Sequence, residues 1–145
     1  MIRIFPTILL EMSSIDESLT AAVANGSLLE SAKSNISALL AGTTSAVAPL
    51  AIQELVDAGA WEELNDRFFK TLAFGTGGLR GRTIGRIVTK AEQGSGGPNE
   101  RPEYPCVGTA TMNFYNLSRA VRGLIAYAKQ FAGSERKPML VFAHD

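Results

Sequence analysis

Phe74-Gly75-Thr76-Gly77-Gly78-Leu79-Arg80-Gly81-Arg82-Thr83-Ile84-Gly85 holds five of the chain's 14 glycines. No acidic residue occurs between Asp66 and Glu92, whereas Arg67, Lys70, Arg80, Arg82, Arg86 and Lys90 all fall there. Glycine admits positive φ and close backbone approach. Successive N–H groups in such a turn form an anion-binding concavity. An arginine in the same loop adds a planar donor fork that matches phosphate. The residues therefore suit a phosphate-handling loop, though by composition alone such glycine-rich basic stretches are more often plain solvated turns. No Gly-Lys-Ser or Gly-Lys-Thr follows, so the stretch is not a P-loop, and it lacks the strand-turn-helix glycine order of a dinucleotide site.

Outward from the loop, the chain before it reads as helical. Ser14-x-x-Glu17 and Ser27-x-x-Glu30 have the form of capping boxes. Ile15, Leu19, Ala22 and Val23, then Leu28, Leu29, Ala32, Ile36, Leu39 and Leu40, recur at helical spacing. Pro49 suits the first turn of a third helix, with Leu55 and Val56 inward and Gly59 as its stop. A fourth carries Trp61, Leu64, Phe68, Phe69 and Leu72. Trp61 and the phenylalanines could stack on a sugar, but their spacing favours a core.

After the loop, Thr83 to Thr89 reads as a short extended segment, and Gly94 to Pro105 as a mobile, solvated insert. Thr111 is the expected N-cap of a helix to Phe131. That helix has an apolar stripe of Phe114, Leu117, Val121, Leu124, Ile125 and Ala128. Met139-Leu140-Val141-Phe142-Ala143 has the composition of a buried strand. Extended segment, helix and strand form the start of a βαβ unit, and such folds bind ligands in loops at strand ends. His144 and Asp145 are adjacent, so on a strand they point to opposite faces and are poorly placed to pair.

The segment Leu72 to Arg82 resembles the opening motif of the α-D-phosphohexomutases, in the phosphoglucomutase/phosphomannomutase branch. The family wording is Phe-Gly-Thr-Ser/Ala/Gly-Gly-Leu/Ile-Arg-Gly. Trp61 to Phe68 resembles the helix that leads into it. Thr111-Met112-Asn113 with the helix to Phe131, and Met139 to Asp145, resemble the elements that follow. The resemblance implies an α/β fold, with a helical lead-in over residues 12–72 and the start of a three-layer α/β/α domain over 73–145. Residues 1–11 are expected to be an upstream extension, with Met12 as the native start.

The implied activity is that of an isomerase, an intramolecular phosphotransferase of carbohydrate metabolism. It moves a phosphoryl group between the C1 and C6 oxygens of a hexose phosphate. In the family a serine carries the phosphoryl group, Mg²⁺ neutralises charge, and a glucose 1,6-bisphosphate-type activator serves as intermediate. By similarity Arg80 is the catalytic arginine beside the phosphoserine, and Thr76, Gly77 and Gly78 shape the phosphate- and substrate-binding loop. No Thr-Ala-Ser-His-Asn-Pro-like serine segment and no Asp-x-Asp-Gly-Asp metal loop occurs. The chain thus reads as an amino-terminal fragment, inactive by itself, whose metal ligands lie elsewhere. A non-catalytic phosphosugar-binding module and a helical interaction domain remain open as alternatives.

Composition sets the outer bounds. Formal net charge is zero and charged residues make up 19%, so nothing global points to nucleic acid or an anionic membrane. No apolar run reaches the ~18 residues of a membrane span. One cysteine, Cys106, cannot form an internal disulfide. It fits a reduced, cytoplasmic setting and reads as a small buried residue.

Overall fold

The computed structural model describes residues 5–133, 136–139 and 141, with side chains from Ser14 onward. Apolar residues recurring every three or four positions favour helices that share one core. Among the described residues there are six: α1 (Phe5–Ala24), α2 (Glu30–Gly42), α3 (Val47–Asp57), α4 (Trp61–Phe68), α5 (Lys90–Gln93) and α6 (Phe114–Ala132). The chain divides into two units, Met1–Asn113 and Phe114–Asp145.

In the first unit, α1 packs on α2 and α3, α4 on α2 and α3, and α5 on α3. Each helix offers one face. Ile15, Leu19 and Ala22 come from α1, and Ala32, Ile36 and Leu39 from α2. Ala51, Ile52 and Leu55 of α3 and Leu64 and Phe68 of α4 complete the core, with Val107 from the long loop. Trp61 packs partly buried at its edge, so its place is structural, as its spacing suggests.

The helix boundaries depart from the sequence signals in instructive ways. α1 runs through Ser14 rather than starting there, and the Ser14 carbonyl accepts from Ser18 Oγ at 2.9 Å. α2 starts after Leu29, which has no side-chain cap of its own. Asn65 of α4 supplies it instead: its Oδ1 accepts from Leu29 N at 2.8 Å and its Nδ2 donates to Ser27 O at 2.9 Å. A helix end can be satisfied by any neighbour with the right oxygen. Gly59 does end α3, with φ of 61°.

The α/β expectation is overturned. No sheet forms among the described residues, and the isolated bridge between Gly75 and Gly78 is the sole β pairing there. The start of a three-layer α/β/α domain is therefore not what residues 73–145 build. Thr83 to Thr89 is held in bends because its backbone groups are taken by side chains and loops. Arg86 N donates to Glu63 Oε1 at 3.1 Å, Ile87 O accepts from Arg67, and Thr83 O accepts from Cys106 N at 2.8 Å. A ladder needs those groups. The expected strand at 139–143 lies partly outside the described residues; Met139 and Val141, which are described, are unpaired in any ladder and exposed.

The insert after α5 is tied down by hydrogen bonds. Gln93 Nε2 donates to Gly97 O at 2.6 Å, Glu103 Oε2 accepts from Ser95 N at 2.8 Å, and Tyr104 N donates to Glu92 O at 3.0 Å. Thr111 lies before the first residue of α6. It is buried, and its hydroxyl donates to Cys106 O at 2.8 Å. In the second unit Gly133, with φ of 67°, follows the last turn of α6. The anticipated apolar stripe is present, but Phe114, Leu117, Val121, Leu124 and Ile125 are all exposed, as expected of a stripe with no sheet to cover it.

Arg67 is the least ordinary member of the core. It is fully buried on α4. Its Nε donates to Glu63 Oε1 at 2.7 Å and its Nη1 to Glu92 Oε1 at 2.6 Å, and further bonds reach the Val107 and Ile87 carbonyls. Burial alone would lower its pKa. The neighbouring Cys106, Glu92 and Glu63 outweigh that, and the net shift is upward, so the guanidinium stays charged. Gly85 passes flat against this cluster: a Cβ there would collide with Arg67 Nη2 and sit 2.7 Å from Glu63 Oε1.

Removing one partner of a buried ion pair strands the other and costs about 3–5 kcal/mol. We predict a loss of that size for Arg67→Met in urea unfolding of the chain, and a clear loss for Gly85→Ala. An Arg67→Met midpoint within error of the parent would show that the cluster does not hold the fold.

Candidate phosphate-binding loop

The loop is built outward from the end of α4. Leu72 N donates to Thr109 O at 2.6 Å, and the Thr109 hydroxyl to Lys70 O at 2.7 Å. The chain then leaves the core at Ala73. Gly75 N and Gly78 O pair at 2.9 Å around a tight turn through Thr76 and Gly77. Gly77 has φ of 78°, whereas no residue other than glycine has positive φ among the described residues. A turn with positive φ at its third residue requires glycine there. Gly77 thus answers to a conformational demand.

The turn leaves its outer donors open. The Thr76 and Gly77 amides donate to no group among the described residues. Both residues are exposed, as are Phe74 and Arg80. The structure therefore places Thr76, Gly77, Gly78 and Arg80 on one short excursion.

Three arginines of the acid-free stretch divide by their contacts. Arg82 is half-buried and forms an ion pair with Asp66 of α4. Arg67 is sealed in the core. Arg80 makes no hydrogen bond or ion pair among the described residues, and its fork is open to solvent. Of these three, Arg80 is the guanidinium available to a ligand; composition left Arg80 and Arg82 on one basic run, and only the family resemblance singled out Arg80.

The carboxylates nearby are engaged. Glu63 and Glu92 face Arg67, Asp66 faces Arg82, and Glu54 accepts from Lys90 N at 2.7 Å and Ala91 N at 2.9 Å. No three His, Cys, Asp or Glu side chains gather as a cation site among the described residues. The described residues thus do not fit the Mg²⁺ that the family resemblance implies. His144 and Asp145 lie outside the described residues.

Sequence reading missed the residues that hold the loop's surroundings. Thr89-Lys90-Ala91-Glu92 is a true capping box: Glu92 N donates to Thr89 Oγ1 and Thr89 N to Glu92 Oε2, both at 3.1 Å. The spacing of a capping box was there to read. Glu92 also accepts from Val107 N at 2.7 Å and from Arg67, and nothing local marks those contacts.

No helix among the described residues is long and apolar enough to cross a membrane. In comparisons with known proteins, no family model, no curated protein and no solved structure matches the chain.

Cys106 sits behind this region, 2% exposed. Burial pushes its thiol up; Glu92 and Glu63 push the same way, Arg67 and Arg82 pull against them, and the result is about 11. The thiolate is the reactive form. At about pH 8, below even the ordinary thiol pKa, we predict negligible labelling of the native chain by a disulfide reagent, with full labelling in urea. Rapid stoichiometric labelling without denaturant would contradict the placement of Cys106.

Proposed function

We propose that Gly75–Arg80 is a phosphate-binding loop that takes the phosphoryl group of a hexose phosphate, in a protein of phosphohexomutase type. What carries the reading is the pairing of open turn amides at Thr76 and Gly77 with the one loop arginine, Arg80, that has no partner among the described residues. Support also comes from the motif Phe74-Gly75-Thr76-Gly77-Gly78-Leu79-Arg80-Gly81 itself. The reading rests on this loop and draws nothing from a sheet.

The chemistry of these residues is electrostatic. A transferring phosphoryl group spreads negative charge over its equatorial oxygens, and fixed donors stabilise that charge with little reorganisation. The Thr76 and Gly77 amides give neutral bonds to one oxygen. Arg80 gives two parallel charged bonds to an oxygen pair and keeps its charge at any working pH. The protein class implied by the resemblance adds a serine that carries the phosphoryl group, Mg²⁺ and a bisphosphorylated activator. No residue of this chain is assigned to those roles.

A second reading, a non-catalytic phosphosugar-binding module, draws on the same loop. It is favoured by the engaged state of Glu63, Glu92 and Asp66 and by the absence, among the described residues, of three acidic, histidine or cysteine side chains gathered as a cation seat. Turnover separates the two.

We predict that inorganic phosphate, glucose 1-phosphate and glucose 6-phosphate each shift the amide resonances of residues 75–81 in the purified chain. Arg80→Lys keeps the charge and loses the fork, and should weaken binding about twentyfold, within the range for a hydrogen bond to a charged group. Arg82→Lys keeps its ion pair with Asp66 and its charge, and should change affinity by less than about threefold. An unresponsive loop at saturating phosphate ends the proposal.

A coupled assay with glucose 1-phosphate, Mg²⁺ and glucose 1,6-bisphosphate should show no turnover by the chain alone. Turnover free of host enzyme would instead place a nucleophile within these residues.

A further inference from the structure

We infer that Asp66 and Arg82 are positioning residues for the phosphate loop, closing a clamp whose other jaw is the segment 106–112. The inference rests on the reading of Gly75–Arg80 as a phosphate site and assigns what holds that site in shape.

Both ends of the loop are fastened to one strip of backbone. At the departing end, Ala110 N donates to Arg67 O at 2.9 Å and Leu72 N to Thr109 O at 2.6 Å. At the returning end, Met112 N donates to Arg82 O and Cys106 N to Thr83 O, each at 2.8 Å. The strip is itself cross-tied. Thr111 Oγ1 donates to Cys106 O at 2.8 Å, and Asn113 Nδ2 donates to Gly108 O at 2.8 Å and Cys106 O at 3.0 Å. The return is too close for a side chain at Gly81: a Cβ there would lie 2.9 Å from Met112 N and 3.2 Å from Thr111 C.

Between these fastenings, residues 73–81 are pinned only by the Gly75–Gly78 pair among the described residues. Nine residues closed by backbone bonds alone keep much conformational freedom. The Arg82 side chain adds the missing constraint by reaching back to Asp66 on α4, the helix the loop has just left. It also removes Arg82 from competition with Arg80 for an anion. Preorganised donors bind more tightly than donors that must be ordered on binding. A pair this open to solvent, with side chains 36% and 37% exposed, adds little to global stability, so its presence at the root of this loop is better explained by local order.

The test separates local order from binding. In phosphate-free wild-type protein, amide order parameters at Gly77 to Arg80 should approach the ~0.85 of rigid backbone and fall below about 0.6 in Asp66→Asn. The helices should be unchanged and the melting temperature should move little. The phosphate dissociation constant should rise about fivefold in Asp66→Asn, a cost of ordering the loop. Arg82→Lys, which preserves the pair, and the double charge swap D66R/R82D should both recover wild-type order and affinity. If Asp66→Asn leaves the loop as ordered as wild type, the clamp is wrong whether or not phosphate binds. If the loop loses order in Asp66→Asn while wild-type protein ignores phosphate, the clamp stands and the phosphate reading fails.

Discussion

A charged guanidinium with no access to solvent is the constraint from which the rest of the first unit follows. Arg67 brings Glu63, one turn earlier on α4, and Glu92 of α5 to within 2.7 Å of its nitrogens. A buried charge is tolerated only when paired and fully hydrogen-bonded. The chain meets that demand with two carboxylates and two carbonyls, those of Ile87 and Val107, drawn from three separate segments. Each acceptor contributes a position. Glu92 is fixed by its capping box with Thr89 and by the Val107 amide; Glu63 also holds the Arg86 amide. The result is that residues 82–112, poor in regular structure, are nonetheless fastened to α4.

This fastening explains how a glycine-rich stretch can be a shaped loop. Gly85 lies flat against the Arg67–Glu63 cluster, Gly81 against the backbone of Met112 and Thr111, and Gly108 against Arg67 O, which a Cβ there would approach to 2.8 Å. At these three positions glycine serves close approach. At Gly77 it serves positive φ. The same residue type therefore does two jobs in one region, and the part left facing solvent is the turn with its open amides and Arg80. A surface loop carried by a rigid scaffold is the common arrangement for a binding site.

Legibility in the sequence followed the range of the forces involved. The helical faces of α1 to α4 could be read because each apolar stripe repeats within a few residues: Ile15, Leu19 and Ala22, or Ala32, Ile36 and Leu39, are periodic before any partner is known. Gly59 as a stop and Pro49 in a first turn are equally local. The capping boxes were less secure guides. Ser14 and Ser27 have the right spacing, yet α1 runs through Ser14 and α2 starts after Leu29, whereas Thr89 with Glu92 does cap. A capping pair offers about 1 kcal/mol, which burial of a neighbouring face easily overrides. The α/β reading failed for a related reason. Ile84, Ile87 and Val88 have strand composition, but strands exist only as pairs, and in this segment the backbone of Arg86, Ile87 and Thr83 is bonded instead to Glu63, Arg67 and Cys106.

What the sequence by itself determined is the set of helical faces and the presence of a glycine-rich basic loop, because periodicity and glycine content act over a few residues. Only the tertiary structure decided which basic residue was free to meet a ligand. Arg67, Arg80 and Arg82 are alike in composition and lie within sixteen positions of one another on an acid-free stretch. Contacts across the fold turned one into a core member through Glu63 and Glu92, paired another with Asp66, and left Arg80 open. Charge is a property of a residue, but its availability depends on desolvation and partners, and those are set by chain segments distant in sequence.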